Sequence, residues 1–144
     1  MGEEASKDKS PVVGVGGIFI RANSAVKLSR WYRDHLGIEV SDNVALFTWL
    51  SPKKHRRPGQ LVWAIFPRNS KYLGEGKRFM VNYRVKDLKK VLNRLRREGV
   101  SVDKKTEDSQ YGKFGWVVDP EGNRIELWQP PPDYKASEKE TKME

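Results

Sequence analysis

Apolar and polar positions alternate in short runs along this 144-residue chain, and two stretches switch to helical spacing. Residues 12–21 (VVGVGGIFIR) read as a β-strand, with glycines at 14, 16 and 17. Asn23 or Ser24 then offers a helix cap, because a side-chain oxygen there accepts an early unpaired amide. Ala25, Leu28, Tyr32 and Leu36, joined by Trp31, keep helical spacing, and Gly37 ends the run. Residues 38–40 and 44–50 are predicted strands separated by Ser41-Asp42-Asn43, and 60–66 (QLVWAIF) is a buried strand. A second series follows in the same order. Residues 79–85 (FMVNYRV) form a strand, Asp87 caps a helix lined by Leu88, Val91, Leu92 and Leu95, and Gly99 terminates it. Further strands are predicted to begin at 100–102 and to cover 114–118 and 124–128. The last two flank a turn at Asp119-Pro120-Glu121-Gly122-Asn123, whose Pro and Gly suit tight geometry.

The two series can be laid over each other. Ile20-Arg21, a helix and Gly37-Ile38-Glu39-Val40 correspond to Tyr83-Arg84, a helix and Gly99-Val100-Ser101-Val102. A repeat of about 63 residues in β-α-β-β-β order argues for duplication. The expected organisation is a first βαβββ module at 11–68 and a second at 69–130, with disordered tails at 1–10 and 131–144. Two such units pair their sheets around a cleft.

Composition removes several chemistries. With no cysteine there is no disulfide, thiolate metal site or cysteine nucleophile. No apolar run approaches the roughly 20 residues of a membrane helix, and the chain's start has no apolar signal region, so a cytoplasmic protein is expected. The formal charge is +9; each tail carries −1, which leaves +11 on the middle. That surplus is spread over several segments rather than gathered in an arm, so nucleic acid is not the expected partner. Its densest cluster, Pro52-Lys53-Lys54-His55-Arg56-Arg57-Pro58-Gly59, reads as an exposed loop.

The closing segment Trp116-Val117-Val118-Asp119-Pro120-Glu121-Gly122-Asn123-Arg124-Ile125-Glu126-Leu127-Trp128 resembles the final hairpin of the vicinal oxygen chelate superfamily. Ser29-Arg30-Trp31-Tyr32-Arg33-Asp34-His35-Leu36-Gly37 is similar to that family's first helix and turn. The superfamily includes glyoxalase I, bleomycin-resistance proteins and extradiol dioxygenases. The resemblance implies an α+β fold of two βαβββ modules forming a partly open, barrel-like cleft, often completed in a homodimer. In metal-using members four strands each supply one His, Glu or Gln, because a divalent ion needs lone pairs converging at about 2.0–2.2 Å.

Carried over residue by residue, the last-strand acid falls on Glu126. The first-strand ligand position falls on Gly17, its second-half equivalent on Met80, and the fourth near Trp63 within 60–66. The two histidines, His35 and His55, lie elsewhere, so no metal or other cofactor is expected.

Strand alternation then nominates the cleft lining. Phe19 and Arg21 follow Gly17, Asn82 and Arg84 follow Met80, and Trp128 lies two from Glu126; Trp49 and Trp63 complete the aromatic set. Core packing is the competing role for Trp49 and Trp63, as for Trp31, Tyr32 and Trp116, because aromatics bury large areas. Glu126 is either functional, as a general base or as the partner of a cationic ligand, or an inherited acid neutralised by Arg21 or Arg84. Three functions stay open: a protein that binds a small organic molecule in a metal-free cleft, an enzyme using Glu126 as base or with an atypical metal, and a nucleic-acid binder.

Overall fold

The computed structural model describes residues 11–49 and 59–132. The expected tail 1–10, most of the expected tail 131–144, Leu50 and the basic loop with His55 lie outside the described residues. The element order is β1 (Val12–Arg21), α1 (Ala25–Leu36), β2 (Val44–Trp49), β3 (Gly59–Phe66), β4 (Phe79–Val85), α2 (Leu88–Arg97), β5 (Ser101–Ser109), β6 (Gly112–Val118) and β7 (Arg124–Gln129). The fold is α+β, and the chain divides into two compact units. One runs from Gly16 to Met80; the other holds Val81–Pro132 and the described residues up to Val15. Packing therefore divides the chain at 15/16 and 80/81, against expected modules at 11–68 and 69–130. Among the described residues, no helix is long and apolar enough to cross a membrane.

In the unit from Gly16 to Met80, β3 lies between β2 and β1, antiparallel to β2 and parallel to β1. Ser24 caps α1 by accepting from the Lys27 amide at 3.2 Å, and Gly37 closes it in the left-handed region (φ 67°). The helix covers a core of Ala22, Val40, Ala45, Trp63 and Ile65, with Leu28 and Tyr32 packed against it. Residues 38–40 do not form the predicted strand. Their polar groups are engaged locally: the Val40 carbonyl accepts from Arg33 Nη1 at 3.0 Å, and the Val40 amide donates to the Ile38 carbonyl at 2.9 Å. Asp42 and Asn43 then turn the chain with positive φ, and Ser41 and Val44 exchange backbone hydrogen bonds. The apolar signal at Ile38 and Val40 was a core signal, with Val40 buried under the helix, and the unit reads βαββ.

In the other unit the strand order is β4-β7-β6-β5, with β4 and β7 parallel and the remaining pairs antiparallel. Asp87 caps α2, accepting from the Lys90 amide at 3.1 Å, and the Leu88 amide finds Gln129 Oε1 at 2.8 Å. Leu88, Val91 and Leu92 bury against Val85, Val117 and Leu127. Gly115 belongs to this contact: a Cβ there would stand 2.9 Å from Leu92 Cδ1. This unit keeps the full βαβββ order. Strand β5 continues to Ser109, with a register irregularity between Val102 and Thr106.

Candidate functional site

Alternation along β4, β6 and β7 splits the second unit's residues between two faces. Tyr83, Val85, Val117, Ile125 and Leu127 face α2. Their neighbours point the other way in cross-strand rows: Asn82, Glu126 and Trp116 in one, Arg84, Trp128 and Phe114 in the next. At the centre stands Glu126, 1% exposed. Its Oε2 accepts from Asn82 Nδ2 at 2.7 Å and its Oε1 from Trp116 Nε1 at 3.1 Å. Burying a charge is costly unless hydrogen bonds offset the lost water, and here two neutral N–H donors contribute.

The surrounding row is partly engaged and partly open. Trp128 donates from Nε1 to the Tyr111 carbonyl at 2.8 Å and stacks on Phe114, with centroids 6.1 Å apart. The Arg124 guanidinium lies 5.1 Å from the Trp116 ring centroid and pairs with Asp103 at 3.2 Å. Asp103 is held below the ordinary carboxylate value of 3.8, first by the Lys105 backbone N–H and then by Arg124. Among the described residues three buried side-chain polar atoms have no hydrogen-bond partner, and two of them, Asn82 Oδ1 and Arg84 Nε, belong to this face.

Glu126 accepts from Asn82 and Trp116, while Arg84 Nε has no hydrogen-bond partner. Arg21 sits one residue before Ala22 at the end of β1, where its Nη2 reaches the carbonyls of Ser70 and Gly74. Those carbonyls belong to a segment far along the chain, which strand alternation could not place. Phe19 is buried against Phe66 and Tyr72, with centroids 5.4 and 6.4 Å away. Met80 is buried, and alternation along β4 gives it the same side as Asn82.

Two expected lining residues lie elsewhere. Trp63 is on the helix face of β3, buried against Tyr32 in an edge-on contact at 4.9 Å, so core packing describes it. Trp49 takes the same side as Trp63 by its register with Gly59 and lies over that glycine, with 48% of its surface exposed. The strand registers show why the position was misread. Arg21 pairs with Phe66 and Phe19 with Ala64, as Arg84 pairs with Trp128 and Asn82 with Glu126. The counterpart of Glu126 is therefore Ala64, one residue beyond Trp63. A one-residue offset exchanges the two faces of a strand.

That register also tests the metal centre seen in metal-using members of the resembling family. The carried-over positions hold Gly17, Met80, Ala64 and Glu126. Gly17 and Ala64 have no side-chain donor, and Met80 offers only a soft thioether, so these residues do not fit a hard or borderline divalent ion. Among the described residues, no three His, Asp or Glu side chains are grouped to hold a metal. Trp116, for which core packing was the stronger expectation, also contributes to this row through its bond to Glu126. Its signal was available in the hairpin, since 116 and 126 lie symmetrically about the turn at 119–123.

A sequence model of the Glyoxalase/Bleomycin resistance protein/Dioxygenase superfamily matches residues 14–127. Among solved structures, methylmalonyl-CoA epimerase from Mycobacterium tuberculosis is 22% identical with a TM-score of 0.52, covering 85% of this chain and 91% of its own. A methylmalonyl-CoA epimerase in complex with methylmalonyl-CoA and ammonium gives a TM-score of 0.61 at 14% identity, over 86% of this chain and 99% of its own. A superfamily member from Vibrio splendidus 12B01 gives 0.54 at 16%, over 80% and 97%. At these identities the likeness concerns the fold. No curated protein sequence gives a significant match.

Proposed function

Because the chain belongs to the Glyoxalase/Bleomycin resistance protein/Dioxygenase superfamily, we propose that it binds a small organic molecule without a metal ion, on the sheet face around Glu126. One observation carries this reading: Asn82 Oδ1 and Arg84 Nε are buried with no partner, two residues apart on that face. Each unmet buried polar group costs about 1–3 kcal/mol, so a ligand supplying a donor to one and an acceptor to the other recovers that cost. Phe114 and Trp128 add an aromatic surface in the same row as Arg84. The ligand class that fits is a small carboxylate bearing an N–H or O–H group, since guanidinium pairs well with carboxylate.

Against the enzyme alternative stands the burial of Glu126, whose two oxygens both accept hydrogen bonds. A general base must reach the proton it removes. The test is a thermal-shift screen of amino, hydroxy and aromatic carboxylic acids on wild type and Arg84→Met. The expected result is a concentration-dependent stabilisation in wild type that disappears in the variant. Absence of any shift, or an equal shift in Arg84→Met, overturns the reading. So does stoichiometric Zn, Ni, Mn or Fe in untagged protein that Glu126→Ala removes, or solvent deuterium entering an acyl-CoA substrate and ceasing with Glu126→Gln. The proposal also includes a homodimer and a cytoplasmic setting, checked by light scattering and cell fractionation.

A further inference from the structure

The segment 67–78 joining β3 to β4 has no regular structure, yet it is held from three sides. Leu73 is fully buried, Tyr72 stacks on Phe66 with centroids 5.4 Å apart and planes within 2°, and Arg21 Nη2 binds the Ser70 and Gly74 carbonyls. A preformed loop spends little entropy when it receives a ligand. Beside it lies a cavity of about 450 Å³ walled by Arg21, Arg68, Ser70, Lys71, Glu75 and Gly76. Three cationic side chains meet one carboxylate there, a surplus of two positive charges. Among the described residues, neither Arg68 nor Lys71 is in an ion pair. Arg21 lines the same cavity, and its Nε is buried without a partner.

We propose that this cavity binds a phosphate group, with Arg21, Arg68 and Lys71 as the cationic contacts and the Ser70 hydroxyl as a neutral donor. The charge surplus of two matches a phosphate dianion, where a carboxylate leaves half of it uncompensated. Glu75 at the rim opposes anions, and the three cations outweigh it. The site lies in the unit from Gly16 to Met80 and does not rest on the reading of Glu126.

The phosphate has two possible sources, free inorganic phosphate and an organic phosphate. A second groove of about 450 Å³ also has Arg21 in its wall, together with the exposed rings of Trp31 and Phe79. An aryl group attached to the phosphate has apolar surface to cover there. The experiment titrates the full chain with inorganic phosphate and, separately, with phenyl phosphate, by calorimetry and ³¹P line broadening, with sodium chloride holding ionic strength constant. The comparison is an Arg68→Ala/Lys71→Ala variant; both residues are exposed, and circular dichroism checks its fold. Saturable binding weakened about tenfold or more in the variant is the expected result, the loss of two charged contacts. Binding of both ligands with similar affinity supports a free-anion site, and a clear preference for phenyl phosphate supports an organic phosphate. No saturable binding of either ligand, or equal binding by the folded variant, overturns the proposal.

Discussion

Replacing Glu126 in two ways separates the need for hydrogen-bond acceptors from the need for a charge. Glu126→Ala removes the acceptor for Asn82 Nδ2 and for Trp116 Nε1, both buried. Two unmet buried donors cost about 1–3 kcal/mol each, so these bonds alone predict a loss of roughly 2–6 kcal/mol before any cavity term. At roughly 3–6 °C per kcal/mol for a chain of this size, Tm falls by about 6–36 °C. Glu126→Gln has the same shape, but its amide carries one oxygen and one NH2. Trp116 keeps its acceptor in Gln Oε1. Asn82 answers the new NH2 by rotating its amide, which turns its unpartnered Oδ1 into the acceptor. Both bonds persist and no buried charge remains, so the change in stability is expected within about 1 kcal/mol. Urea unfolding at neutral pH measures both variants, with unchanged m-values confirming comparable unfolding. If Glu126→Gln loses as much as Glu126→Ala, the two-donor account fails and the charge itself is required, as for a buried cation partner.

Arg21→Met removes two hydrogen bonds to loop carbonyls, so hydrogen exchange at residues 70–77 should quicken while the core under α2 keeps its protection. Trp63→Ala should cost about 3–5 kcal/mol as a core truncation, and Trp63→Phe, which keeps most of the packing, should leave any ligand's affinity unchanged. A Trp63→Phe variant that folds normally but loses ligand contradicts its placement under α1. Asp103 has its folded pKa depressed, so its contribution is present above the ordinary value of 3.8 and is lost as pH falls through the lower folded value. Acid titrations of stability should therefore fall more steeply below about pH 4 in wild type than in Asp103→Asn.

Much of the fold was legible in the order of residues because the signals are local. Ser24 and Asp87 cap their helices through their own side chains, and Gly37 takes the left-handed conformation that ends α1. The duplication appears as the same strand pattern in each unit, with β1, β3 and β2 matching β4, β7 and β6. Residues 38–40 misled because apolar residues alternating about Glu39 imitate a strand, while Val40 is buried beside the helix.

At the site, the order of residues determined that Glu126 stands on a closing strand with Asn82 and Arg84 in corresponding places. Tertiary structure decided the partners. Trp116 reaches Glu126 across a hairpin, Arg21 is drawn to carbonyls about 50 residues away, and Trp63 turns to the helix while Ala64 takes the place matching Glu126. Helical and strand periods depend on neighbours a few residues apart. Side-chain partnership depends on register between strands, where one residue of slip exchanges core for the opposite face.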